Sequence, residues 1–397
     1  AARVLLDAGA VVDTRDEHGN TAIAIAAAAG YADIFLMLVD AKATPYIENN
    51  DGKTALALAI EHKHDSVTRI LVDIPDEEGN TALLTAATTG DADKVKALLA
   101  VGAPLDVKNN AGDTALLAAV RNSHDSVVEI LINAGAQLDV PDQHGNTALA
   151  VAAEEGITDV VELLLGAHAA AFTTNQDNKT ALMCALEQGH SEVVKLLLDI
   201  IDSDGNTALA LAAKSGDEAM VKKFVDAGAT VSVRNHKGET PLELAVEAGH
   251  TPVVRLLDSV LDNEGNTAVY NAVKNNNPVL LKKLLDARIS ADVKSEAGEA
   301  PLVLAARLGY ASVARVLIAA GVRLWLPSND GSSPLIVASQ AGHNEIVTLL
   351  IQSKAPLDVV SAQGMTSLLL ATENAHVATV QALAQAGAYL DACDANG

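Results

Sequence analysis

Small and branched apolar residues recur along the chain in short runs of helical period, and polar turns separate these runs. Residues 109–140 show the pattern in the sequence NNAGDTALLAAVRNSHDSVVEILINAGAQLDV. Thr114 is placed to cap a first helix, which Ser123 and His124 close. A second run, SVVEILIN, has apolar residues at helical spacing and ends near Gly135, which suits a left-handed C-cap. The pattern predicts pairs of short helices, and because one pair cannot bury its own apolar face, neighbouring pairs must stack.

A turn of the form x-x-G-x-T-A/P-L opens each helix pair. Asn178 takes the glycine place in one copy, which is tolerable because asparagine also visits left-handed backbone angles. Nine intervals between consecutive turn positions equal the step from Gly19 to Gly52, and three are shorter by six, which predicts a repeat array over the whole chain. The turn glycines are Gly19, Gly52, Gly79, Gly112, Gly145, Gly205, Gly238, Gly265, Gly298, Gly331, Gly364 and Gly397.

These features resemble the ankyrin repeat over essentially the whole chain. The resemblance rests on the G-x-T-A/P-L turn, the VVxLLL helix, the AGA cap and the Gly-His pairs at Gly189-His190, Gly249-His250 and Gly342-His343. It implies an all-α repeat solenoid, a curved array of helix pairs joined by β-hairpin fingers and used for protein–protein recognition. The family's usual T-P-L-H histidine is absent from every copy, which predicts fewer polar ties between repeats.

Adjacent repeats differ in a regular way. Asp-type copies, which start at Asp16, Asp76, Asp142, Asp202 and Asp262, alternate with Asn-type copies, which start at Asn49, Asn109, Asn175, Asn235 and Ser295. Among these, only the Asn-type copies carry a histidine twelve residues after the turn, at His64, His124, His190 and His250. All three short intervals enter an Asp-type copy and lack the six residues of the AGA cap and finger base. Either these deletions are real or six residues are missing from the sequence as read.

Composition narrows the class of partner. The 397 residues include 27 Lys+Arg and 51 Asp+Glu, for a formal charge of −24, so nucleic acid and anionic membranes are disfavoured and basic proteins or peptides are favoured. Two cysteines, Cys184 and Cys393, cannot build a disulfide framework and suggest a reducing, cytoplasmic compartment. The sequence has no apolar run long enough for direct membrane insertion and no visible signal peptide.

No catalytic, cofactor-binding or metal-binding motif stands out. Phosphate-binding glycine loops, H-E-x-x-H, C-x-x-C and G-x-S-x-G are all absent from the sequence. The acidic residues and histidines recur at fixed repeat positions, which indicates structural roles such as packing at helix starts. The expected function is therefore non-catalytic, with no cofactor.

The resemblance places ligand contacts on the fingers and on the ends of the first helices. The candidate contacts are the residues nine and ten after the turn position. In two neighbouring repeats they form an acidic stretch, which either binds a basic peptide or is only solvated, and its residues are Glu154, Glu155, Glu187 and Gln188. Arg307 and Leu308 hold the same two positions in a later repeat. Three of the chain's few aromatic residues share a finger position, and they are Tyr46, Phe172 and Trp325. Trp325, beside Leu324, is the preferred contact because exposed aromatics are enriched at binding hot spots, although packing on the neighbouring finger is the alternative.

The sequence therefore predicts one continuous array over 1–397, with a partial repeat at 1–15, twelve repeats at 16–393 and the start of another at 394–397. The favoured function is a protein–protein interaction scaffold that binds its partner along the concave face and the hairpin fingers. Two alternatives stay open. The array could be the targeting arm of a larger enzyme or channel, or it could be a structural element of a large assembly.

Overall fold

Threonine side chains begin the first helix of nearly every repeat. In this computed structural model, which describes residues 2–260 and 266–390, the Thr114 hydroxyl accepts a hydrogen bond from the backbone N–H of Leu117 at 3.3 Å, as the sequence predicts. Ser333 caps its helix in the same way, whereas Ala300 offers no side-chain cap. Because the cap satisfies a backbone donor that has no partner within the helix, it fixes where each first helix starts.

Twenty-five α-helices lie in the described ranges. After α1, even-numbered helices are the first helix of a repeat and odd-numbered helices are the second. The helices are α1 (Ala2–Asp7), α2 (Ala22–Ala29), α3 (Ala32–Asp40), α4 (Ala55–Glu61), α5 (Asp65–Val72), α6 (Ala82–Thr89), α7 (Ala92–Ala100), α8 (Ala115–Arg121), α9 (Asp125–Asn133), α10 (Ala148–Glu155), α11 (Thr158–Gly166), α12 (Ala181–Gln188), α13 (Ser191–Leu198), α14 (Ala208–Ser215), α15 (Glu218–Asp226), α16 (Pro241–Ala248), α17 (Thr251–Asp258), α18 (Ala268–Lys274), α19 (Pro278–Asp286), α20 (Pro301–Leu308), α21 (Ala311–Ala319), α22 (Pro334–Ala341), α23 (Asn344–Gln352), α24 (Ser367–Glu373) and α25 (Val377–Gln385).

The fingers between repeats are tight turns. Gly19 donates its backbone N–H to the Asp16 carbonyl at 3.0 Å, and the Asp16 carboxylate accepts from the backbone N–H groups of His18 and Asn20. Isolated antiparallel bridges, such as Arg15 with Thr21, take the place of longer ladders in the described part of the chain. The all-α repeat fold is confirmed, but the expected β-hairpins are reduced to these turns.

The length of the second helix follows the spacing of the repeats. In the regular repeats this helix has nine residues and ends in a left-handed residue such as Gly135, whose φ is 89°. Before the short intervals, α5, α13 and α17 have eight residues each. At these three intervals the sequence as read has no left-handed C-cap glycine, and the second helix is one residue shorter.

The chain divides into two compact units, unit 1 (Ala1–Leu197) and unit 2 (Leu198–Gly397). In unit 1, α2 packs on α4, and α6, α8, α10 and α12 form a continuous stack of first helices. In unit 2, α14 packs on α16, and α18, α20, α22 and α24 form a second stack. Their core is built from small residues, so in α8 every residue except Arg121 is buried. Across short intervals within each unit, α4 does not stack on α6, nor α16 on α18, as the first helices joined by a regular interval do in the described residues.

Some predicted features lie outside the described residues. They are the turn glycines Gly265 and Gly397, Cys393, Asp262 and the further repeat at 394–397. The division of the chain into a partial repeat and twelve repeats stays a prediction. None of the helices in the described ranges combines the length and apolar character that a membrane span requires.

Candidate functional site

Grooves lie between consecutive first helices and the turns that precede them. In unit 1, a groove of 190 Å³ between α10 and α12 is lined by Glu154, Cys184, Glu187 and Gln188. Equivalent grooves of 370 Å³ near α2 and α4 and of 510 Å³ near α20 and α22 occupy other repeats. The positions nine and ten after the turn glycine, which the sequence singles out, therefore border a repeated concavity beside the turns.

Several of these residues already have an ion-pair partner in the same repeat. Glu187 pairs with Lys179 at 2.6 Å, one residue after the turn position, and Glu61 pairs with Lys53 at 2.7 Å. Arg307 pairs with Glu299, which is only 7% exposed and also accepts a hydrogen bond from the Tyr270 hydroxyl. These pairs leave Glu187 and Arg307 less available to a partner than the sequence suggests. In the sequence, each of these ion pairs is visible as two opposite charges eight residues apart.

Glu154 and Glu155 differ from Glu187 because they have no ion-pair partner. Both are exposed at the end of α10, and neither carboxylate has an ion pair or a hydrogen bond in the described chain. They lie in the segment 122–178, which contains no lysine or arginine and nine acidic residues. Gln188, exposed at the end of α12, adds an amide to the same groove. Glu154 therefore gives the groove uncompensated negative charge, and Glu155, which follows it in the chain but does not line the groove, adds a second charge nearby, so cationic groups are attracted in a salt-dependent way.

Cys184 lines the groove between α10 and α12. It is 5% exposed and is a free cysteine. Burial, followed by the negative charge of Glu154, raises the pKa of its thiol, so the side chain stays protonated at neutral pH. Its role here is that of a small apolar side chain packed against α10.

The three finger aromatics have different environments. Trp325 is 54% exposed, and Leu324 beside it is half-buried. Tyr46 is half-buried and donates its hydroxyl to the Ile74 carbonyl, and burial together with the Asp76 charge raises the pKa of its phenol. Phe172 is half-buried as well. Tyr46 thus helps to hold a short interval together, and Trp325 is the aromatic of this set with the most surface left for a partner.

Leu308 is the second exposed apolar residue of the candidate set in unit 2. It is 42% exposed at the end of α20, directly after Arg307. An exposed leucine of this kind is common on its own and gains meaning only when it lies beside other contact residues.

Polar ties between repeats are present although the T-P-L-H histidine is absent, and they are made by other side chains. Each histidine that precedes a second helix lays its ring on a glycine of the preceding repeat, and its Nε2 lies 2.9–3.1 Å from a backbone carbonyl there. His190, for example, meets the Glu154 carbonyl at 2.9 Å and covers Gly156. The histidines do pack at helix starts, as predicted, but they act across repeats.

A second tie joins the turns. The Asn175 side-chain amide donates to the Asn146 side-chain oxygen at 2.9 Å, and the same Asn–Asn bond links 49 to 20, 109 to 80 and 235 to 206. As far along the chain as His250, both ties run from an Asp-type copy to the Asn-type copy that follows it. The alternation seen in the sequence therefore has a physical basis, because each pair of repeats holds two complementary halves of these contacts.

In the described ranges, no group of three His, Cys, Asp or Glu side chains could hold a metal ion. The histidines that share a repeat position each engage a separate glycine and carbonyl. The chemistry that the grooves offer is thus that of hydrogen bonding, charge and apolar contact.

Comparison with known proteins finds the same repeat. A profile described as ankyrin repeats (3 copies) matches residues 42–109, 83–177, 139–202, 158–235, 199–260 and 302–394, and a profile of ankyrin repeats (many copies) matches residues 5–59. These matches together cover most of the chain.

Among the curated relatives, the chain is 33% identical over 106 residues to ankyrin repeat domain-containing protein 63 of Mus musculus, which covers 24% of this chain and 27% of that protein. It is 29% identical over 135 residues to the nuclear factor NF-kappa-B p105 subunit of Gallus gallus, covering 31% of this chain and 14% of that protein. It is 27% identical over 122 residues to the transient receptor potential cation channel subfamily A member 1 homolog of Caenorhabditis elegans, covering 30% of this chain and 10% of that protein. The match thus spans less than a third of each of these relatives, and the profiles show that the chain belongs to the ankyrin repeat family.

Proposed function

We propose that this chain is a non-catalytic scaffold that binds another protein along the grooves between its first helices and turns. The observation that carries the proposal is the recurrence of the same concavity in several repeats, with unpaired groups at its edge in one of them. Ankyrin repeats indicate protein–protein interaction, and the family is generally non-catalytic. A reducing intracellular location belongs to the same proposal and is supported by the free, buried thiol of Cys184.

The partner on unit 1 is proposed to be a basic segment. Residues 1–197 contain 29 Asp+Glu and 12 Lys+Arg, so this unit carries most of the negative charge of the chain. Glu154 and Glu155 are the primary contacts because their carboxylates are free, and Gln188 donates or accepts a hydrogen bond beside them. Glu187 contributes only when a partner cation competes with Lys179. Nucleic acid and membrane lipid are disfavoured by the same charge.

The finger of Leu324 and Trp325, with Arg307 and Leu308 on the adjoining helix, is proposed as a second contact on unit 2. Trp325 is the single tryptophan of the chain, so its fluorescence reports on this finger alone. A partner that covers the finger will shift the emission, and Trp325→Ala should then weaken binding by more than about 1 kcal/mol with little loss of stability. A partner whose binding leaves the emission unchanged does not contact the finger. Tyr46 and Phe172 are weaker candidates because both are half-buried.

The basic-segment proposal is tested with a labelled dodecapeptide of alternating lysine and glycine, followed by fluorescence anisotropy at increasing NaCl. The double variant Glu154→Gln/Glu155→Gln should weaken binding about fivefold, because two exposed charge pairs contribute roughly 0.5 kcal/mol each. The matched control is Asp33→Asn/Asp93→Asn, which removes the same charge from the second helices α3 and α7 and should leave the affinity unchanged. Equal losses in both doubles would mean that the attraction is diffuse and that the groove is not the site.

A second candidate function is that the array is the interaction arm of a larger protein. It is favoured by the relatives, in which the matched segments take up only 10–27% of the length. One of these relatives is named as a cation channel subunit and another as a nuclear factor subunit. Whatever activity lies outside the array, the array's contribution under this proposal is the same groove-based recognition. A structural role in a large assembly is the third candidate.

A further inference from the structure

Unit 2 carries a row of exposed cations on its second helices, in a chain whose net charge is strongly negative. Lys222, Arg255 and Lys282 all hold the same repeat position, seventeen places after the turn glycine, and Lys223 and Lys283 follow directly. We call these five residues the basic stripe. All five are exposed, on α15, α17 and α19, and α15 packs directly on α17.

The charges of the basic stripe are not neutralised within the described chain. None of the five side chains forms an ion pair or a hydrogen bond there, whereas Arg315, one repeat further, pairs with Glu345 at 3.0 Å. The exposed acidic residues Glu218 and Asp226 lie four residues before and after Lys222, and Asp286 lies four residues after Lys282, but none of them forms an ion pair with a stripe cation in the described chain. These five exposed cations, which form no ion pair in the described chain, are available for a contact with an anionic surface.

Unit 1 carries the matching anions on its own second helices. Asp125 and Glu129 on α9 and Asp159 and Glu162 on α11 are exposed, and none has a side-chain partner in the described chain. We call these four residues the acidic face. Glu129 and Glu162 hold the same repeat position as Lys222 and Arg255, and α9 packs on α11. No lysine or arginine occurs on either helix.

We propose that the basic stripe of one copy of this chain docks on the acidic face of a second copy. The argument for a second copy is one of spacing. Helices in direct contact lie about 8–10 Å apart, so charges at the same repeat position are separated by that distance on both surfaces. Lys222 and Arg255 can therefore meet Glu129 and Glu162 in register, which a partner with another periodicity cannot do at more than one site.

Such a contact uses two different surfaces, so it is heterologous. Each pair of copies leaves one stripe and one face unused, so further copies add until a ring closes or a linear chain grows. Because every contributing charge is exposed, the association is weak, strengthens at low ionic strength and weakens as salt rises. It leaves the grooves beside the turns free, so it is independent of the proposed binding of a basic segment.

The test is sedimentation velocity of the intact chain over a hundredfold range of concentration at low and high NaCl. We expect the weight-average mass to rise with concentration at low salt and the association to weaken at least about tenfold at high salt. A constant monomer mass at every concentration overturns the proposal. A change of shape without a change of mass also overturns it, because the stripe and the face would then meet within one chain.

Charge reversal identifies the surfaces. Lys222→Glu/Arg255→Glu and Glu129→Lys/Glu162→Lys should each abolish association alone, because like charges then face each other. A 1:1 mixture of the two variants should associate again, since each variant's altered surface complements the other's. Lys94→Glu/Lys96→Glu, which reverses two exposed lysines on α7, is the matched control and should associate at least as well as the wild type. Failure of the mixture to associate, or a loss as large in the control, overturns the assignment, as does binding of the stripe to anionic vesicles with no self-association.

Discussion

Two junctions in unit 1 lead from an Asn-type copy into an Asp-type copy, and they differ by six residues. At the regular junction, α8 packs on α10 and α9 on α11, and the Arg121 guanidinium pairs with the buried carboxylate of Asp142. At the short junction between α4 and α6, neither pair of helices stacks in this way, and contact is made by α5 against α6 and by the Tyr46 hydroxyl on the Ile74 carbonyl. The six residues of the cap and finger base therefore set the offset that lets one repeat stack on the next.

A carboxylate at a regular junction and one beside a short junction also differ in their surroundings. At the regular junction, burial raises the pKa of Asp142, but hydrogen bonds from the backbone of Asn146 and His144 and the charge of Arg121 outweigh burial and leave the pKa lowered. At the short junction that follows α17, burial raises the pKa of Asp258 to about 6, against a hydrogen bond from the Ala268 backbone. The Oδ1 atom of Asp258 is buried without a hydrogen-bond partner. The buried carboxylate at this regular junction is thus supplied with hydrogen-bond partners and a cation, whereas Asp258 beside the short junction keeps one oxygen without a partner.

The largest expected effect comes from restoring the missing residues. Inserting Ala-Gly-Ala-Gln-Leu-Asp, the sequence of residues 134–139, after Asp73 should let α4 stack on α6. If roughly 150 Å² of apolar surface becomes buried, the N-terminal repeats gain about 3–4 kcal/mol and unfold together with the rest of unit 1. Urea unfolding monitored by native-state hydrogen exchange measures the gain. A Gly-Ser insertion of equal length is the control, and an equal effect from it would show that length alone, without the cap, is sufficient.

The next effect concerns the histidine tie. Gly156 has φ +74°, and an added Cβ would lie 2.5 Å from Nδ1 of His190, whereas Gly189 has φ +78° and open space around it. Gly189→Ala should cost about 1 kcal/mol from backbone strain alone, and Gly156→Ala about 2.5 kcal/mol because the ring must also move. Urea midpoints measure both. If His190→Ala does not recover part of the loss caused by Gly156→Ala, the ring is not the cause.

A smaller effect depends on pH. Because the folded chain raises the pKa of Asp258 to about 6, it holds that proton more tightly than the unfolded chain does. The stability from this group is therefore full below about pH 4 and is lost as the pH rises through 6. Asp258→Asn should stabilise the chain by about 1 kcal/mol at pH 7.5, after allowance for partial exposure, and by almost nothing at pH 4. Thermal unfolding at both pH values measures this, and equal shifts at the two would exclude titration as the cause.

The pH dependence of stability expected from Asp142 has the opposite sign. Its pKa is lowered in the folded chain, so its contribution is present at neutral pH and is lost as the pH falls below about 4. Asp142→Asn, measured beside Asp258→Asn, should destabilise the chain at pH 7.5 and have little effect in acid. If both variants change the free energy of unfolding in the same direction at pH 7.5, the comparison between regular and short junctions is wrong.

The smallest effect concerns the tie between fingers. The Asp139 carboxylate accepts a hydrogen bond from the Ala170 backbone N–H, in the next finger, at 2.9 Å. The residue at the equivalent distance after Asp73 is Pro104, which has no N–H to donate. Asp139→Ala should therefore cost about 0.5 kcal/mol and Asp73→Ala close to nothing. Urea unfolding of the two variants side by side decides the matter, and equal costs would show that the tie is not what stabilises the finger.

Much of the fold follows from local sequence. The threonine caps, the left-handed glycines and the helical period each specify a turn or a helix without reference to distant residues, as at Thr114 and Gly135. The contacts between repeats do not, because His190 and Gly156 belong to different repeats and only the stacked fold brings them together. The candidate groove residues were identified by position. Whether their charges are free for a partner does not follow from position, because the fold brings Lys179 to Glu187 and Glu299 to Arg307.

The histidine–glycine tie has a consequence for how such a gene can change. From His64 to His250, each tie has one half in an Asp-type copy and the other half in the next copy. Losing the Asp-type copy that starts at Asp142 would set the His190 ring against Ser123, which has a Cβ and a φ of 55°, whereas Gly189 and Gly249 leave room for a ring in the later Asn-type copies. Unequal crossing-over that moves two repeats together preserves every tie. At copies such as the one that holds Ser123, selection on packing therefore favours changes in length by two repeats.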